Sequence, residues 1–232
     1  MITAATSGGL GDIVYAIPVM RKLGVTDVYV KENYYFPPYG NLYLAIKTLL
    51  QQQGFNVHPT PGGEQPGIFE PGLQIDFNLD ESLNQRCRGT NHIIISYLNT
   101  FKLPHDGWQE PWLKIECKRL IEEDYTLIHL TDRWRKYSRV DWRKVLQSIT
   151  GPVYFTGFQH EWLDFCTKYG DVKWYPTTDI LQMAILIRDC KALYCNQSVS
   201  LATCQGVRKK YFCDFKPGKT NCRMFTDNEN VL

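Results

Sequence analysis

Apolar residues along the chain recur at two alternating spacings, one typical of strands and the other typical of helices. Residues 2–6 form a short, mostly apolar run, and the apolar positions between Ile13 and Leu23 that follow it lie on one helical face. The same pair of patterns then repeats. In the first half it predicts strands at 2–6, 26–31, 55–58 and 73–78, helices at 12–23, 41–54 and 91–103, and a loop at 34–40.

The second half repeats the alternation more regularly. It predicts strands at 125–130, 153–156, 172–175, 192–195 and 210–214, and helices at 140–149, 161–169, 179–189 and 198–206. Strands and helices that alternate through short connections favour parallel sheets with helices on both faces. The segment 104–112 interrupts the pattern, and Trp108 and Trp112 are expected to pin it as a stiff connection. We therefore predict an α/β protein of two Rossmann-like domains, 1–115 and 116–232.

Composition narrows the classes of protein to consider. The 232 residues can bury a sizeable core, and the net charge of +2 neither requires nor excludes nucleic acid as a partner. No signal-peptide pattern follows Met1, and the apolar stretches are too short to span a bilayer, so we expect a cytoplasmic protein without a membrane span. The eight cysteines are scattered and form no C-x-x-C pair, which favours buried thiols over disulfides or a zinc site.

A glycine-rich turn lies between the first predicted strand and the first predicted helix. Gly8, Gly9 and Gly11 let the backbone adopt φ > 0 and let a ligand or a neighbouring chain come close. Asp12 stands where a helix N-cap is expected, and Pro18 is expected to kink the helix. A strand, a glycine turn and a helix start together favour an anion site, although such turns also serve packing alone. Their spacing is not G-x-G-x-x-G, which argues against a dinucleotide-dependent dehydrogenase.

Polar residues follow three strands of the second half at their carboxyl ends, where open parallel sheets bind ligands. The three sets are Thr131, Arg133 and Lys136 after 125–130; Thr156, Gly157 and Glu161 after 153–156; and Asn196, Gln197, Ser198 and Ser200 after 192–195. Each set also has a purely structural interpretation, as a solvated loop, a helix-end charge or a helix cap. Because all three lie at one edge of the sheet, we predict a site for a diphosphate and a sugar hydroxyl there.

Several catalytic motifs are missing from the sequence. The residues around Lys219 resemble the end of a P-loop without its first glycine, and Asp164 stands where a zincin motif begun at His160 would need its second histidine. No G-x-S-x-G motif of a serine hydrolase occurs. No Asp-x-Asp pair follows a strand either, so the usual metal anchor of sugar-nucleotide enzymes is missing.

The order of these motifs resembles the heptosyltransferase-like (family 9-like) glycosyltransferases. The matching pieces are 7–12 with Ile17 and Pro18, the loop after 125–130, Thr156 and Gly157 with Glu161, and 179–206 with Asn196, Gln197 and Ser198. The resemblance implies the GT-B arrangement, in which two Rossmann-like domains with parallel sheets face a cleft. The sequence departs from the family at the last motif, where Asn196, Gln197, Ser198 and Leu201 replace an acid, a threonine, a glycine and a histidine, which leaves the donor sugar open.

The resemblance also implies an enzyme that transfers a sugar from a nucleotide diphosphate donor to the hydroxyl of a glycan or another acceptor, with inversion and without a metal or other cofactor. Asp12 matches the family's proposed general base, with Gly8, Gly9 and Gly11 on the acceptor side. Thr131, Arg133 and Lys136 would neutralise the leaving diphosphate, and the other strand-end residues would bind the donor. Two alternatives stay open: a non-catalytic sugar-nucleotide or glycan-binding protein of the same fold, and a glycosyltransferase acting on modified DNA bases.

Overall fold

The computed structural model describes residues 2–6, 9–31, 35–36, 39–60, 75–77, 92–132, 138–216, 221–224 and 226–232. The first half contains, in chain order, β1 (Thr3–Thr6), α1 (Leu10–Lys22), β2 (Asp27–Lys31), β3 (Tyr35–Phe36), β4 (Gly40–Asn41), α2 (Leu42–Gln52), β5 (Asn56–Thr60), β6 (Ile75–Asp76) and α3 (Ile93–Thr100). Four of these strands form a parallel sheet in the order β5-β2-β1-β6. The predicted loop at 34–40 is wrong in part, because β3 and β4 pair there as a small antiparallel hairpin.

The second half contains β7 (Thr126–His129), α4 (Trp142–Ser148), β8 (Val153–Phe155), α5 (Gln159–Tyr169), β9 (Lys173–Trp174), α6 (Ile180–Asp189), β10 (Leu193–Asn196), α7 (Val199–Gly206), β11 (Tyr211–Asp214) and β12 (Glu229–Val231). The six strands form one parallel sheet in the order β12-β11-β10-β7-β8-β9. The polarity pattern did not predict β12. The predicted α/β class with parallel sheets in both halves is confirmed.

Helix α1 begins earlier than predicted. Its N-cap is Gly9, so Asp12 lies inside the first turn rather than at the cap. Asp12 still satisfies an exposed amide of the helix start, because its Oδ2 accepts the Gly9 N–H at 3.0 Å. The helix continues through Pro18 to Lys22, and the kink expected at Pro18 stays a prediction.

The two halves share one hydrophobic core. Helix α1 packs against α7, and α2 packs against α6, so each contact joins a helix of the first half to one of the second. Polar bonds reinforce both contacts: the Tyr15 hydroxyl donates to Gln205 Oε1 at 2.8 Å, and the Thr48 hydroxyl donates to Asp179 Oδ2 at 2.8 Å. A buried hydrogen bond between halves fixes their relative orientation as well as adding stability.

The segment predicted to connect the halves is packed against α7. Trp112 is buried, and the amides of Trp112 and Leu113 both donate to the Gly206 carbonyl at 3.0 Å. A Cβ on Gly206 would lie only 2.7 Å from Leu113 and 2.9 Å from the Trp112 indole nitrogen. The tryptophan therefore pins the connection, as predicted. Among the described residues, no helix combines the length and apolarity needed to cross a bilayer.

Candidate active site

The starts of two helices meet where the halves face each other. A Cβ on Gly11, in the first turn of α1, would lie 3.6 Å from the backbone N and Cα of Val199, the first residue of α7. Both helices follow the carboxyl ends of central strands, β1 and β10. The structure thus brings the predicted glycine turn, with Gly9, Gly11 and Asp12, next to the segment that contains Ser198 and Ser200. Two helix N-termini side by side favour a bound anion.

Asn196 fixes the loop that follows β7. Its side chain is 1% exposed, its Oδ1 lies 3.2 Å from the Thr131 amide and 3.3 Å from the Thr131 hydroxyl, and its Nδ2 donates to the Thr131 carbonyl at 2.9 Å. Two predicted strand-end residues are therefore in direct contact. The side-chain amide of Asn196 is bonded to Thr131 through both its oxygen and its nitrogen, so it holds the loop that carries Thr131 in place.

Gln197 performs the same task on the next strand. Its Oε1 accepts the Lys216 amide at 2.9 Å, which ties the segment after β11 to the end of β10. The side chain is 7% exposed. Asn196 and Gln197 thus hold the two loops on either side of the α7 N-terminus.

Glu161 joins the loops after β7 and β8. One carboxylate oxygen accepts the Asp132 amide at 3.0 Å, and the other accepts the Phe158 amide at 3.1 Å as part of the α5 cap. The side chain is buried, and burial raises the pKa of the Glu161 carboxyl above its usual range. Glu161 therefore combines the helix-charge interpretation with a bridge between two predicted donor loops.

Gly157 and Thr156 line the end of β8. Gly157 has φ +136°, and a Cβ there would lie 3.1 Å from Glu161 Oε2 and 3.5 Å from the His129 ring, so a side chain would be both strained and crowded. Thr156 is fully buried, and its hydroxyl has no hydrogen-bond partner in the described part of the chain. Burying a hydroxyl without a hydrogen-bond partner lowers the stability of the fold by about 1–3 kcal/mol. The Thr156 hydroxyl is therefore a group at this edge whose burial needs an explanation.

His129 is a site residue that the sequence interpretation missed. It ends β7, is 4% exposed, and its Nδ1 lies 3.2 Å from the Ser198 hydroxyl. The Ser198 hydroxyl in turn lies 2.9 Å from that of Ser200. Burial lowers the pKa of His129 to about 4, so the ring is neutral near pH 7. A histidine at the carboxyl end of an otherwise apolar strand was the available signal.

Tyr39 brings the first half to the same edge. Its hydroxyl lies 2.9 Å from the Thr177 hydroxyl, in the segment after β9, and both residues are buried. Burial raises the pKa of Tyr39, and the negative charges of Asp179 and Glu161 raise it further, which places the phenol in the electrostatic field of the site. Tyr39 lies in the segment that the sequence predicts to be a loop, and it was not predicted to belong to the site.

Three predicted residues, Gly8, Arg133 and Lys136, lie outside the described residues. Their proposed roles at the acceptor side and at the leaving diphosphate stay predictions. An open groove of about 710 Å³, lined by Leu146, Val153 and Val172 among others, lies at the opposite, amino edge of β8 and β9. Ligands of open α/β sheets bind at the carboxyl edge, so we assign the site to the strand ends rather than to this groove.

One group of side chains at the carboxyl edge offers metal-ligand atoms. Asp132, His160 and Glu161 each place one such atom within 4.8 Å of the other two, and His160 Nε2 lies 3.4 Å from Asp132 Oδ2. Imidazole and carboxylate are suitable donors for divalent transition metals. Glu161 already accepts two backbone amides, however, so an exposed His–Asp pair beside a capping glutamate accounts for the same geometry. The expectation that no metal takes part therefore stays a prediction.

No protein-family model matches the sequence, and neither does any curated protein. Solved structures match its fold along nearly the whole chain. A family 9 glycosyl transferase from Veillonella parvula aligns with 100% of this chain and 86% of its own, at 14% identity and a TM-score of 0.58. The E. coli heptosyltransferase WaaC, solved with ADP-2-deoxy-2-fluoro heptose, aligns with 100% of this chain and 92% of its own, at 10% identity and a TM-score of 0.56.

The heptosyltransferase TibC of enterotoxigenic E. coli, described as iron-containing and dodecameric and solved with ADP-D-beta-D-heptose, gives a TM-score of 0.63 at 14% identity. That alignment covers 98% of this chain but only 62% of TibC, so the chain spans less than two thirds of that enzyme. At identities of 10–14%, the TM-scores of 0.56–0.63 establish a common fold and nothing more. The chain has the GT-B fold of the heptosyltransferase-like, family 9 glycosyltransferases.

Proposed function

We propose that this protein is an inverting glycosyltransferase that moves a sugar from a nucleotide diphosphate donor to an acceptor hydroxyl, without an essential metal. The observation that supports the proposal is the close approach of Gly11 to Val199, because Asp12 follows Gly11 in the first turn of α1 and Val199 begins α7. The three structures compared above are glycosyltransferases, and two of them were solved with ADP-heptose or an ADP-heptose analogue. Sugar nucleotides of ADP are therefore the first donors to try.

Asp12 is the general base of the proposed reaction. Its carboxylate lies at the start of α1, where the helix dipole favours a negative charge, and one oxygen accepts the Gly9 amide. A carboxylate offers about four lone-pair sites, so this bond leaves it able to accept a proton. As Asp12 removes the acceptor proton, the acceptor oxygen attacks the anomeric carbon and the bond to the diphosphate oxygen breaks. A single displacement of this kind inverts the anomeric configuration.

The second half stabilises the leaving group. The negative charge that develops on the diphosphate would be met by the amides at the α7 N-terminus and by Thr131, Arg133 and Lys136. Asn196, Gln197 and Glu161 hold the surrounding loops in place through their hydrogen bonds to backbone amides. In this assignment, Asn196, Gln197 and Glu161 position the loops that bind the donor.

The test separates donor binding from transfer. Wild-type protein and Asp12→Asn are titrated with a panel of nucleoside diphosphates and sugar nucleotides, and donor consumption is followed in an acceptor screen that includes glycans and duplex DNA with modified bases. Asp12→Asn should bind the donor as the wild type does and lose transfer by at least ~100-fold, as expected on removal of a general base. Asp106→Asn, which removes an exposed carboxylate paired with Lys22, is the matched control and should keep full activity.

Each other outcome points elsewhere. Transfer that survives in Asp12→Asn shows that Asp12 is not the base. If the wild type binds a donor but consumes it with none of the acceptors, the non-catalytic alternative of the same fold is favoured. Transfer that stops in EDTA and returns with a divalent metal contradicts the metal-independent reaction, and its further loss in His160→Gln would locate the metal at Asp132, His160 and Glu161.

A further inference from the structure

Ser198 stands at the N-cap of α7 but does not cap the helix. It has the extended backbone of an N-cap, with φ −149° and ψ −173°, yet its side chain makes no bond to an amide of the first turn. Serine at this position usually accepts such an amide. Instead, its hydroxyl lies 3.2 Å from His129 Nδ1, 2.9 Å from the Ser200 hydroxyl and 3.3 Å from the Asn196 carbonyl.

The first turn of α7 is correspondingly short of acceptors. The Leu201 amide donates to the Ser198 carbonyl at 3.1 Å, whereas the amides of Val199 and Ser200 find no acceptor among the described residues. Such unsatisfied amides give a helix start its capacity for an anion. These amides begin beside Gly11, where an added Cβ would lie 3.6 Å from the Val199 nitrogen.

His129 has the geometry and the chemistry to hold Ser198 in this orientation. The ring is almost fully buried, and a Cβ added to Gly157 would lie 3.5 Å from His129 Cδ2, so there is little room for the ring to move in that direction. A neutral imidazole accepts a hydrogen bond at Nδ1 in one tautomer and donates it in the other, so His129 can engage the Ser198 hydroxyl in either case. Ser200, which is fully buried, completes the arrangement.

We propose that His129 is a positioning residue that keeps the Ser198 hydroxyl turned away from α7, so that the first amides of the helix stay available to the diphosphate of the donor. This inference rests on the diphosphate site of the proposed function. The inference predicts that the effects of the two substitutions are not additive. Removal of the His129 side chain lets Ser198 rotate and cap the helix, whereas removal of both side chains leaves no hydroxyl to do so.

The test compares His129→Ala, Ser198→Ala and the double variant, with two readouts. The first is the crystal structure without ligand, in which Ser198 Oγ of His129→Ala should move to within ~3.2 Å of the Ser200 or Leu201 amide. The second is the affinity for nucleoside diphosphates (ADP, UDP, GDP and CDP) by calorimetry. His129→Ala should weaken binding about fivefold relative to the wild type, the scale of one N-cap bond, whereas in the Ser198→Ala background the same change at His129 should have almost no effect, so the double variant should bind as Ser198→Ala does.

Two further variants guard against a general loss of structure. His129→Asn keeps a polar group near the Nδ1 position and should restore affinity to within about twofold of the wild type. His92→Ala removes another histidine that is 3% exposed and lies outside this edge of the sheet, and it should lower the melting temperature without lowering affinity.

A double variant that binds more weakly than Ser198→Ala would overturn the inference, because His129 would then act through packing alone. An unchanged Ser198 in the crystal structure of His129→Ala would overturn it as well. Wild-type protein that binds none of the diphosphates defeats the proposed function together with this inference. Wild-type binding that His129→Ala leaves unchanged defeats the inference alone.

Discussion

At the scale of single residues, the candidate site is built largely from side chains that serve the backbone of neighbouring loops. Asn196 holds Thr131, Gln197 holds the amide of Lys216, and Glu161 holds the amides after two strands. Polar residues at strand ends were predicted to contact the ligand directly. That contact stays a prediction. The hydrogen bonds of these three residues favour a division of labour, in which buried amide and carboxylate groups fix the loops and the donors of those loops would bind a ligand.

Asn196 provides the sharpest test of this division. In Asn196→Asp the side chain can no longer donate to the Thr131 carbonyl and would bring a carboxylate against it, although the contact is 2.9 Å in the wild type. Leaving a buried partner unsatisfied costs about 1–3 kcal/mol, so we expect a lower free energy of unfolding and at least ~10-fold weaker diphosphate binding. Urea unfolding and calorimetry measure the two effects.

Asn230→Asp is the matched control for this variant. Asn230 also donates its Nδ2 to a backbone carbonyl, that of Tyr211, at 3.1 Å, but it lies in the edge strand β12. The control should lower the free energy of unfolding while leaving diphosphate affinity unchanged. Equal losses of affinity in both variants would show that Asn196 acts only through general stability.

The two buried histidines predict how stability depends on pH. Burial lowers the pKa of His92 and of His129 to about 4, from about 6.5 in the unfolded chain. Between these values the unfolded chain binds protons that the folded chain does not, so stability is complete above pH ~6.5 and falls as the pH drops towards 4. Each histidine accounts for a loss on the order of 3 kcal/mol.

Urea unfolding at several pH values between 4.5 and 7 checks this expectation. His92→Gln should flatten the pH dependence relative to the wild type, because it removes one of the two titrations. A wild-type stability that rises on acidification from pH 6.5 would contradict the burial of both rings.

At the scale of secondary-structure elements, two glycines lie where a helix packs closely against another segment. One of them, Gly11, has room for a methyl group and the other, Gly206, does not. A Cβ on Gly11 would meet the start of α7 at 3.6 Å, an ordinary contact, whereas a Cβ on Gly206 would approach Leu113 at 2.7 Å. Alanine is also the better helix former, by up to ~1 kcal/mol. We expect Gly11→Ala to be neutral or stabilising and Gly206→Ala to lower the free energy of unfolding by about 1–3 kcal/mol.

Larger side chains separate packing from function at the same contact. Gly11→Leu would force α1 away from Val199 and should weaken diphosphate binding more than Gly11→Ala does. Urea unfolding gives the stability of all three variants, and calorimetry gives their affinity. A Gly206→Ala variant as stable as the wild type would show that the connecting segment does not pack on α7 as described.

Most helices and strands could be predicted from the sequence, because the spacing of apolar residues shows which side chains of a helix or strand are buried. The misses have local causes. Residues 229–231 contain one apolar side chain, so β12 carries no strand pattern and forms only because β11 offers it an open edge. The start of α1 was misplaced because Gly9 caps the helix without a side chain, while Asp12 satisfies the amide from within. His129 was missed because apolar periodicity marks core positions and says nothing of a polar strand end.

At the scale of the whole molecule, the two halves have separate sheets but share one hydrophobic core. Buried side chains of α1 and α2 belong to the same cluster as those of α6 and α7. The connection is tied in as well: Gln53, at the end of α2, donates to the Lys114 carbonyl at 2.9 Å and accepts the Lys114 amide at 3.0 Å. The junction between the halves is therefore held by a shared core and by the connecting segment before any ligand binds.

We therefore expect the protein to unfold in one cooperative transition, because neither half can open without exposing apolar surface of the other. Far-ultraviolet circular dichroism and tryptophan fluorescence should give the same urea midpoint. Tyr15→Phe, which deletes the buried bond to Gln205 between the halves, should lower the free energy of unfolding by about 1 kcal/mol and keep the single transition. Tyr154→Phe, which deletes an exposed bond to Glu123, should cost less. Two separated transitions in the wild type would mean that the halves are independent domains, and the site at their junction would then have to be formed by closure rather than held ready.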